Sequence, residues 1–532
     1  MTGSAPVCLE RGDIQGGILR AYGKRGYPKG RFLLFHVGRK EAGRWFVEQL
    51  RPRVTPALDW AEEGEAPRPG QMPRPEVTLN LAFTFRGLEA LGVPLRTLKG
   101  MPEAFTDGMA RRDAVLGDDV GPNRIGFWDP VWRPDPDRPA VHLLVMLNAR
   151  ADADGAPVEP LEGVTAEVLG LAGATGGGVR LLEGHRGADP RWQALSALWG
   201  PRPDGRVGPL PTEHFGFNDA IGDPVFDGQY PDGAEREKCR GQGAVDGAGT
   251  WRPLATGEFI LGWPDESQEV AGMAMPLDFS RNGSFFAYRK LHQDLEAWDA
   301  WIESRAAMLA RVWGLASLEE ARATLKAKMA GRWEDGVPLV KAPTFAEWQA
   351  ARLRMAGMSR AELTAYLTEF SYSGDREGLM CPKTAHIRRA NTRDALDPLW
   401  DAEDPRGRLG SALNNRRRIL RRGLPYGGRN DPDGEHGIVL LAYCADLFRQ
   451  FEFVQQQWMN YGLDFDAGND SCPIVGAHRE GSRFVIASAD PDKPPFVAGG
   501  LRPFVTTRGG DYFFQPSMTA LRMIGQGLVD PT

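Results

Sequence analysis

The sequence predicts an α+β fold built from two successive β-α-β-β-α-β units. Two observations carry this. Strand-like apolar runs alternate with helical stretches in that order in the first half, and the second half repeats the order loosely. At 532 residues and 42% hydrophobic, the chain also has enough apolar material for a large buried core.

In order, Arg31 to Val37 reads as the first strand, and a helix follows through Leu50. Val77 to Phe85 is the second strand, with more helix from Gly87. Val141 to Asn148 is the third, a helix spans about Leu161 to Ala172, and Val179 to Glu183 closes the unit. In the second half, Ser284 to Leu291 is a strand and His292 to Leu309 a Trp- and Ala-rich helix. His436 to Cys444 is a buried-type strand. Ala445 to Trp458 places Leu447, Phe451, Val454 and Trp458 on one helical face. Ser482 to Ser488 and Asp511 to Gln515 supply late strands. The expected division is an N-terminal ferredoxin-like domain over 1–215 and a C-terminal one over 216–532, the latter carrying a long insertion at about 313–434. Pro224 to Trp251 is expected to be an exposed loop.

The net charge of −6 is small for this length and argues against a nucleic-acid binder. No apolar run is long enough to span a membrane, so no membrane partner is expected. The first residues show no basic segment followed by an apolar one, which makes the cytoplasm the expected address. Five scattered cysteines without a CxxC pair indicate neither a disulfide framework nor a zinc site.

Three segments carry chemistry. In Glu213-His-Phe-Gly-Phe-Asn-Asp-Ala-Ile-Gly-Asp-Pro224, Asp219 lies among Phe215, Phe217 and Ile221. Such a carboxylate is either a helix N-cap or an acid/base group. In Cys381-Pro-Lys-Thr-Ala-His-Ile-Arg-Arg-Ala-Asn-Thr-Arg-Asp394, His386 is followed by Arg388, Arg389 and Arg393, a density of cations that calls for anions. Asn414-Asn-Arg-Arg-Arg-Ile-Leu-Arg-Arg-Gly-Leu-Pro-Tyr-Gly427 reads as a strand entering a turn, with Arg421 and Arg422 facing opposite sides.

Taken in order, Gly216-Phe-Asn-Asp219, Ala385-His-Ile-Arg-Arg-Ala-Asn391 and Ile419-Leu-Arg-Arg-Gly-Leu-Pro-Tyr-Gly427 resemble the dye-decolorizing (DyP-type) haem peroxidases of the long-chain bacterial and fungal branch. Further matches are Asp13-Ile-Gln-Gly-Gly-Ile-Leu-Arg20, Gly257-Glu-Phe-Ile-Leu-Gly-Trp-Pro-Asp265, Arg281-Asn-Gly-Ser-Phe285, Arg449-Gln-Phe-Glu-Phe-Val-Gln455 and Gly509-Gly-Asp-Tyr-Phe-Phe514. The resemblance implies two ferredoxin-like domains of the dimeric α+β barrel type, with one haem b per chain in the C-terminal one.

It further implies His386 as ligand of the haem iron, Asp219 as acid/base and Arg421 as the cation that stabilises charge on peroxide oxygen. Arg421 is preferred to Arg422 because it directly follows Ile419-Leu420. Hydrogen peroxide would be reduced, and aromatic donors such as dyes and phenols oxidised through a ferryl intermediate, at a more acidic optimum than a histidine base would give. Arg388 and Arg393 are candidate propionate partners, with surface ion pairs to Asp394 or Asp397 as the alternative. Phe285 and Phe514 are candidates for the pocket wall, with core packing as the alternative. Glu452 is a candidate hydrogen-bond acceptor behind the ligand, with exposure on a helix surface as the preferred reading. The chain departs from the family pattern at Ala220 and Thr392, where glycine and proline are usual. The competing functional reading is a haem-binding or haem-handling protein with incidental peroxidase activity, and a haem-free relative is a further one. Monomer and homodimer are both compatible with the sequence.

Overall fold

The structure is a computed structural model that describes residues 7–202, 205–219, 221–230, 233–245, 250–270, 274–396, 412–429, 431 and 434–529. Its centre is one long antiparallel sheet. The first half contributes β1 (Lys29–Val37), β2 (Val77–Phe83), β3 (Leu143–Ala149) and β4 (Val179–Leu181). The second contributes β5 (Ser284–Gln293), β6 (Leu420–Tyr426), β7 (Gly437–Cys444) and β8 (Val505–Gln515). Along the sheet the order is β6-β7-β5-β8-β2-β3-β1-β4, with Gln193–Ser196 also paired to β1. Numbered within its half, each set of four runs 2-3-1-4, the ferredoxin-like order. Among the described residues the two sets share a single backbone pairing, Phe514 opposite Phe83.

Helices cover the strands because their apolar positions recur on one face. In α1 (Lys40–Leu50) that face is Gly43, Phe46, Val47 and Leu50. In α2 (Pro160–Ala174) it is Leu161, Thr165, Val168 and Ala172. α3 (Leu295–Trp313) begins where Asp294 accepts a hydrogen bond from the Ala297 amide, and it buries Trp298, Trp301, Ile302, Ala306 and Leu309. Leu447, Phe451, Val454 and Trp458 are all buried, although Leu447–Glu452 and Val454–Met459 wind as π-helix rather than α-helix.

Three expectations need correction. The second strand of the C-terminal half is Leu420–Tyr426, so the His436 run is the third strand and the insertion ends before 420. The Ser482 run gives Arg483–Ile486, which pairs with Phe496–Gly499 in a separate two-stranded ribbon outside the main sheet. The stretch from Pro224 to Trp251 is not simply exposed, since Val225, Phe226, Cys239 and Ala244 are buried. The insertion has an apolar centre of its own around Trp333, Leu339, Trp348, Tyr372 and Cys381.

The halves are also tied by buried charge. Arg112 makes a bidentate pair with Glu452 at 2.6 and 2.7 Å, Arg289 pairs with Asp118, and Lys290 lies 2.6 Å from Asp129. Glu452 is therefore interior, 1% exposed, and bonded also by the Tyr512 hydroxyl at 2.7 Å, which overturns the surface expectation. Matched charges at the bottom of an apolar contact avoid the penalty an unpaired one would bring.

Candidate active site

Asp219 is carried by an extended segment rather than a helix cap. Glu213 shapes it: its buried carboxylate accepts the Phe215 and Phe217 amides, each at 2.9 Å, and a bond from Gln293. Burial raises the Glu213 pKa, and these donors work against the rise. Gly216 takes φ of +97° in this turn, a conformation that favours glycine. Phe215 stacks on Trp298 with ring centres 4.4 Å apart, which anchors the turn to α3. The Asn218 amide donates to Glu334 O and the Asp219 amide to Pro211 O. Ala220 lies outside the described residues.

Across from this segment, β6 alternates as its sequence suggested. Arg421 Nη1 donates to Asp219 Oδ1 at 2.7 Å, and Nη2 to Ile221 O at 2.8 Å. Arg422 turns the other way and donates to Gly17 O and Ile18 O. Arg421 and Asp219 keep 36% and 53% side-chain exposure, whereas Arg422 keeps 6%, so only the first pair is open to a ligand. On the Arg421 face, register brings Ala442 opposite Arg421, Leu440 opposite Gly423 and Ile438 opposite Pro425. The result is an apolar surface holding one cation and one carboxylate.

Asp223 was not singled out from the sequence, yet it organises both arginines. Its Oδ2 is 2.8 Å from Lys24 Nζ and 3.5 Å from Arg422, and its Oδ1 is 3.8 Å from Arg421. Burial pushes its pKa up, but Lys24, Arg421 and Arg422 together outweigh this and hold it at about 2. In return, Asp219 and Asp223 keep the Arg421 guanidinium above its usual value against the cost of burial.

His386 opens the short helix α4 (His386–Ala390). Its Nδ1 lies 3.4 Å from Cys472 Sγ, the one hydrogen bond of the ring among the described residues, and this leaves Nε2 for another partner. Burial disfavours both charged forms, while the contact between the two groups holds the imidazole above and the thiol below their usual values. The charges of Arg421 and Asp219 both act on His386, so the three sequence-picked groups share one electrostatic neighbourhood. Between them runs the segment Gly331–Glu334: a side chain at Gly331 would meet Ala385 and Ile387, while Glu334 O holds Asn218.

The four remaining candidates part company. Arg388 is buried with its guanidinium used by Asp375 at 3.0 Å and by the carbonyls of Cys381 and Asp375. It leaves no fork for a propionate. Arg393 is buried too, with Nη1 on Gly241 O and Phe370 O, but its Nε and Nη2 have no hydrogen-bond partner among the described residues. Buried N–H groups of that kind suit an anion. Neighbouring Arg332, lowered to about 9 by burial and then by Arg393, also feels Arg421, which connects the Arg393 corner to the site. Phe285 and Phe514 face each other in the sheet core with ring centres 5.4 Å apart, Phe285 packing also on Phe105 and Phe514 on Phe279. Thr392 is buried beside Arg393. A surface cavity of about 490 Å³, lined by Phe85, Arg86 and His142 among others, belongs to the N-terminal half and contains none of these groups.

An imidazole nitrogen and buried arginine N–H groups that have no partner among the described residues, with an apolar sheet face bearing one fixed cation, form a donor set that fits haem. No cluster of histidine, cysteine or carboxylate suited to a bare metal ion occurs among the described residues. No helix among them is long and apolar enough to cross a membrane.

Comparison with known proteins agrees. Residues 13–156 match the model of the DyP dimeric alpha+beta barrel domain, and residues 408–488 that of the Dyp-type peroxidase C-terminal domain. Peroxidase 2 of Mycetinis scorodonius is 26% identical over 545 residues, covering 98% of this chain and 88% of that protein. The multifunctional dye peroxidase DyP2 of an Amycolatopsis strain is 30% identical over 339 residues, 59% of this chain and 61% of that protein. Among solved structures, a dye-decolorizing peroxidase in complex with 2,6-dimethoxyphenol shares the fold with a TM-score of 0.66 at 23% identity, over 97% of this chain and 100% of the other. With one family's domains recognised in both halves and a relative aligned along nearly its whole length, the chain belongs to the DyP-type peroxidases, hydrogen peroxide-dependent oxidoreductases.

Proposed function

We propose that the chain binds one haem b through His386 and uses Asp219 and Arg421 to reduce hydrogen peroxide at the expense of aromatic donors such as dyes and phenols. The observation that carries this reading is the Arg421–Asp219 pair at 2.7 Å, half-exposed on an apolar face within electrostatic reach of His386. A protein that only stored or carried haem would have no need of a fixed acid and cation beside the site.

When bound, haem supplies the redox chemistry, taking two oxidising equivalents from peroxide and passing them to donors. The chain's own groups manage protons and charge. Asp219 takes the proton from one peroxide oxygen and returns it to the other, which leaves as water. Arg421, permanently charged, stabilises negative charge on the departing oxygen. Its bonds to Asp219 and Ile221 O, with Asp223 behind it, keep it aimed without movement during the reaction. Arg393 is the residue that would pair with a haem carboxylate, and Ile438 and Leu440 would cover the ring. The dye and phenol donors are read from relatives named for dye chemistry and from the phenol-bound neighbour. The proposed division at about residue 215 leaves all of these groups except the anchoring Lys24 in the C-terminal part.

Stopped-flow mixing of holoprotein with hydrogen peroxide tests the assignment. Asp219→Asn should retain the Soret band and slow the peroxide step by about 10²- to 10⁴-fold. An unchanged rate in that variant would remove Asp219 from the mechanism.

A further inference from the structure

The proximal side of the site contains a group that the peroxide chemistry above does not use. Cys472 is completely buried, and its sulfur lies 3.4 Å from His386 Nδ1. Both partners are fixed independently. The Cys472 amide donates to Met459 O at 2.8 Å and its carbonyl accepts the Gly476 amide at 3.0 Å, which fixes the backbone that carries the sulfur. Arg389, also fully buried, ties α4 to the same loop, donating to Trp458 O at 3.1 Å and to Asp470 O at 2.7 Å. The helix carrying His386 and the loop carrying Cys472 are thus bolted together two residues from the sulfur and three from the ring.

A histidine that ligates a metal through one ring nitrogen donates the N–H of the other, and the acceptor it finds sets tautomer, ring orientation and ligand basicity. We infer that Cys472 is that acceptor, a positioning residue whose sulfur fixes the proton on His386 Nδ1 and directs the Nε2 lone pair at the iron. This rests on His386 being the haem ligand. No other acceptor for the ring occurs among the described residues. Sulfur is a large, soft acceptor, so the ligand strength in this chain is set by a sulfur contact in place of an oxygen one.

The test uses haem-loaded protein, wild type and the variants Cys472→Ala, Cys472→Ser and Cys472→Asp, with far-UV circular dichroism to confirm folding. Resonance Raman spectra of the ferrous form give the iron–histidine stretch, and transfer of haem to excess apomyoglobin gives its dissociation rate. In Cys472→Ala the stretch should fall and haem should leave at least about tenfold faster, the usual cost of losing such a partner. Cys472→Asp, which restores an acceptor, should recover both, and Cys472→Ser should lie between. An alanine variant with unchanged stretch and haem release overturns the inference. So does a changed alanine variant that neither serine nor aspartate rescues, because lost packing would then explain it. Absence of any iron–histidine band in the wild type would instead overturn the assignment of His386.

Discussion

Replacing Asp223 with asparagine should cost about 2–3 kcal/mol of stability at neutral pH, and the cost should depend on pH in a defined direction. The carboxylate sits 2.8 Å from Lys24 and within 3.5 and 3.8 Å of Arg422 and Arg421. With 16% of its side chain exposed, it is shielded enough for these charges to act strongly. They hold its pKa at about 2 against an ordinary 3.8. That difference of roughly two units, at about 1.4 kcal/mol each, gives the stated cost. Because the folded-state value is depressed, the contribution is complete above the unfolded value near 4 and is lost as pH falls through about 2. Urea unfolding of holoprotein, followed by circular dichroism from pH 7 to pH 2.5, measures it. The gap between wild type and Asp223→Asn should hold from pH 7 to 5 and narrow below 4. Equal stability at pH 7, or a gap that persists undiminished at pH 2.5, would refute the reasoning.

Four further substitutions probe β6 and the contact between the halves. Arg421→Ala should leave the melting temperature nearly unchanged, since an ion pair this exposed contributes about 0–1 kcal/mol, yet slow the peroxide step by about 10²- to 10³-fold; Arg422→Ala should lower stability by about 1–3 kcal/mol through its lost bonds to Gly17 O and Ile18 O. If the two variants exchanged these phenotypes, the facing of β6 would be wrong. Gly423→Ala should cost at least about 3 kcal/mol, because φ is +107° and the new methyl would collide with the Val439 carbonyl oxygen; a thermal melt within a degree of wild type would contradict this. Glu452→Gln should cost about 3 kcal/mol by leaving Arg112 buried without its bidentate partner, as read by urea midpoint, and a neutral result would mean that the pair is not needed.

Most strands of the main sheet were legible because they are short apolar runs with turn residues between, and strand character is written locally. The alternation in Leu420–Tyr426 likewise separated Arg421 from Arg422 before any coordinates. Roles that depend on distant partners were not legible. Arg388 and Arg393 look equivalent in sequence, but Asp375 consumes the first, while N–H groups of the second have no partner among the described residues. Glu452 looks like a helix-surface acid until Arg112, far away in the chain, is brought against it. Asp223 had a signal, a second acid four residues after Asp219 in the same glycine-bounded segment, although only Lys24 and β6 show what it does. Cys472 had none: a cysteine beside proline carries no local mark of what its sulfur touches.

The single-residue joint between the two four-stranded sheets bears on how the protein is made. Backbone pairing contributes little to holding the halves together; one apolar core shared by both does most of it, and within it Arg112–Glu452, Arg289–Asp118 and Lys290–Asp129, each with one member in each half, have to be matched. A C-terminal fragment produced alone would present Glu452, Arg289 and Lys290 to a core that no longer neutralises them. The part proposed to receive haem is thus completed by residues that leave the ribosome first. The early half acts as a waiting counter-charge template, and maturation of the cofactor site becomes an event of the whole chain.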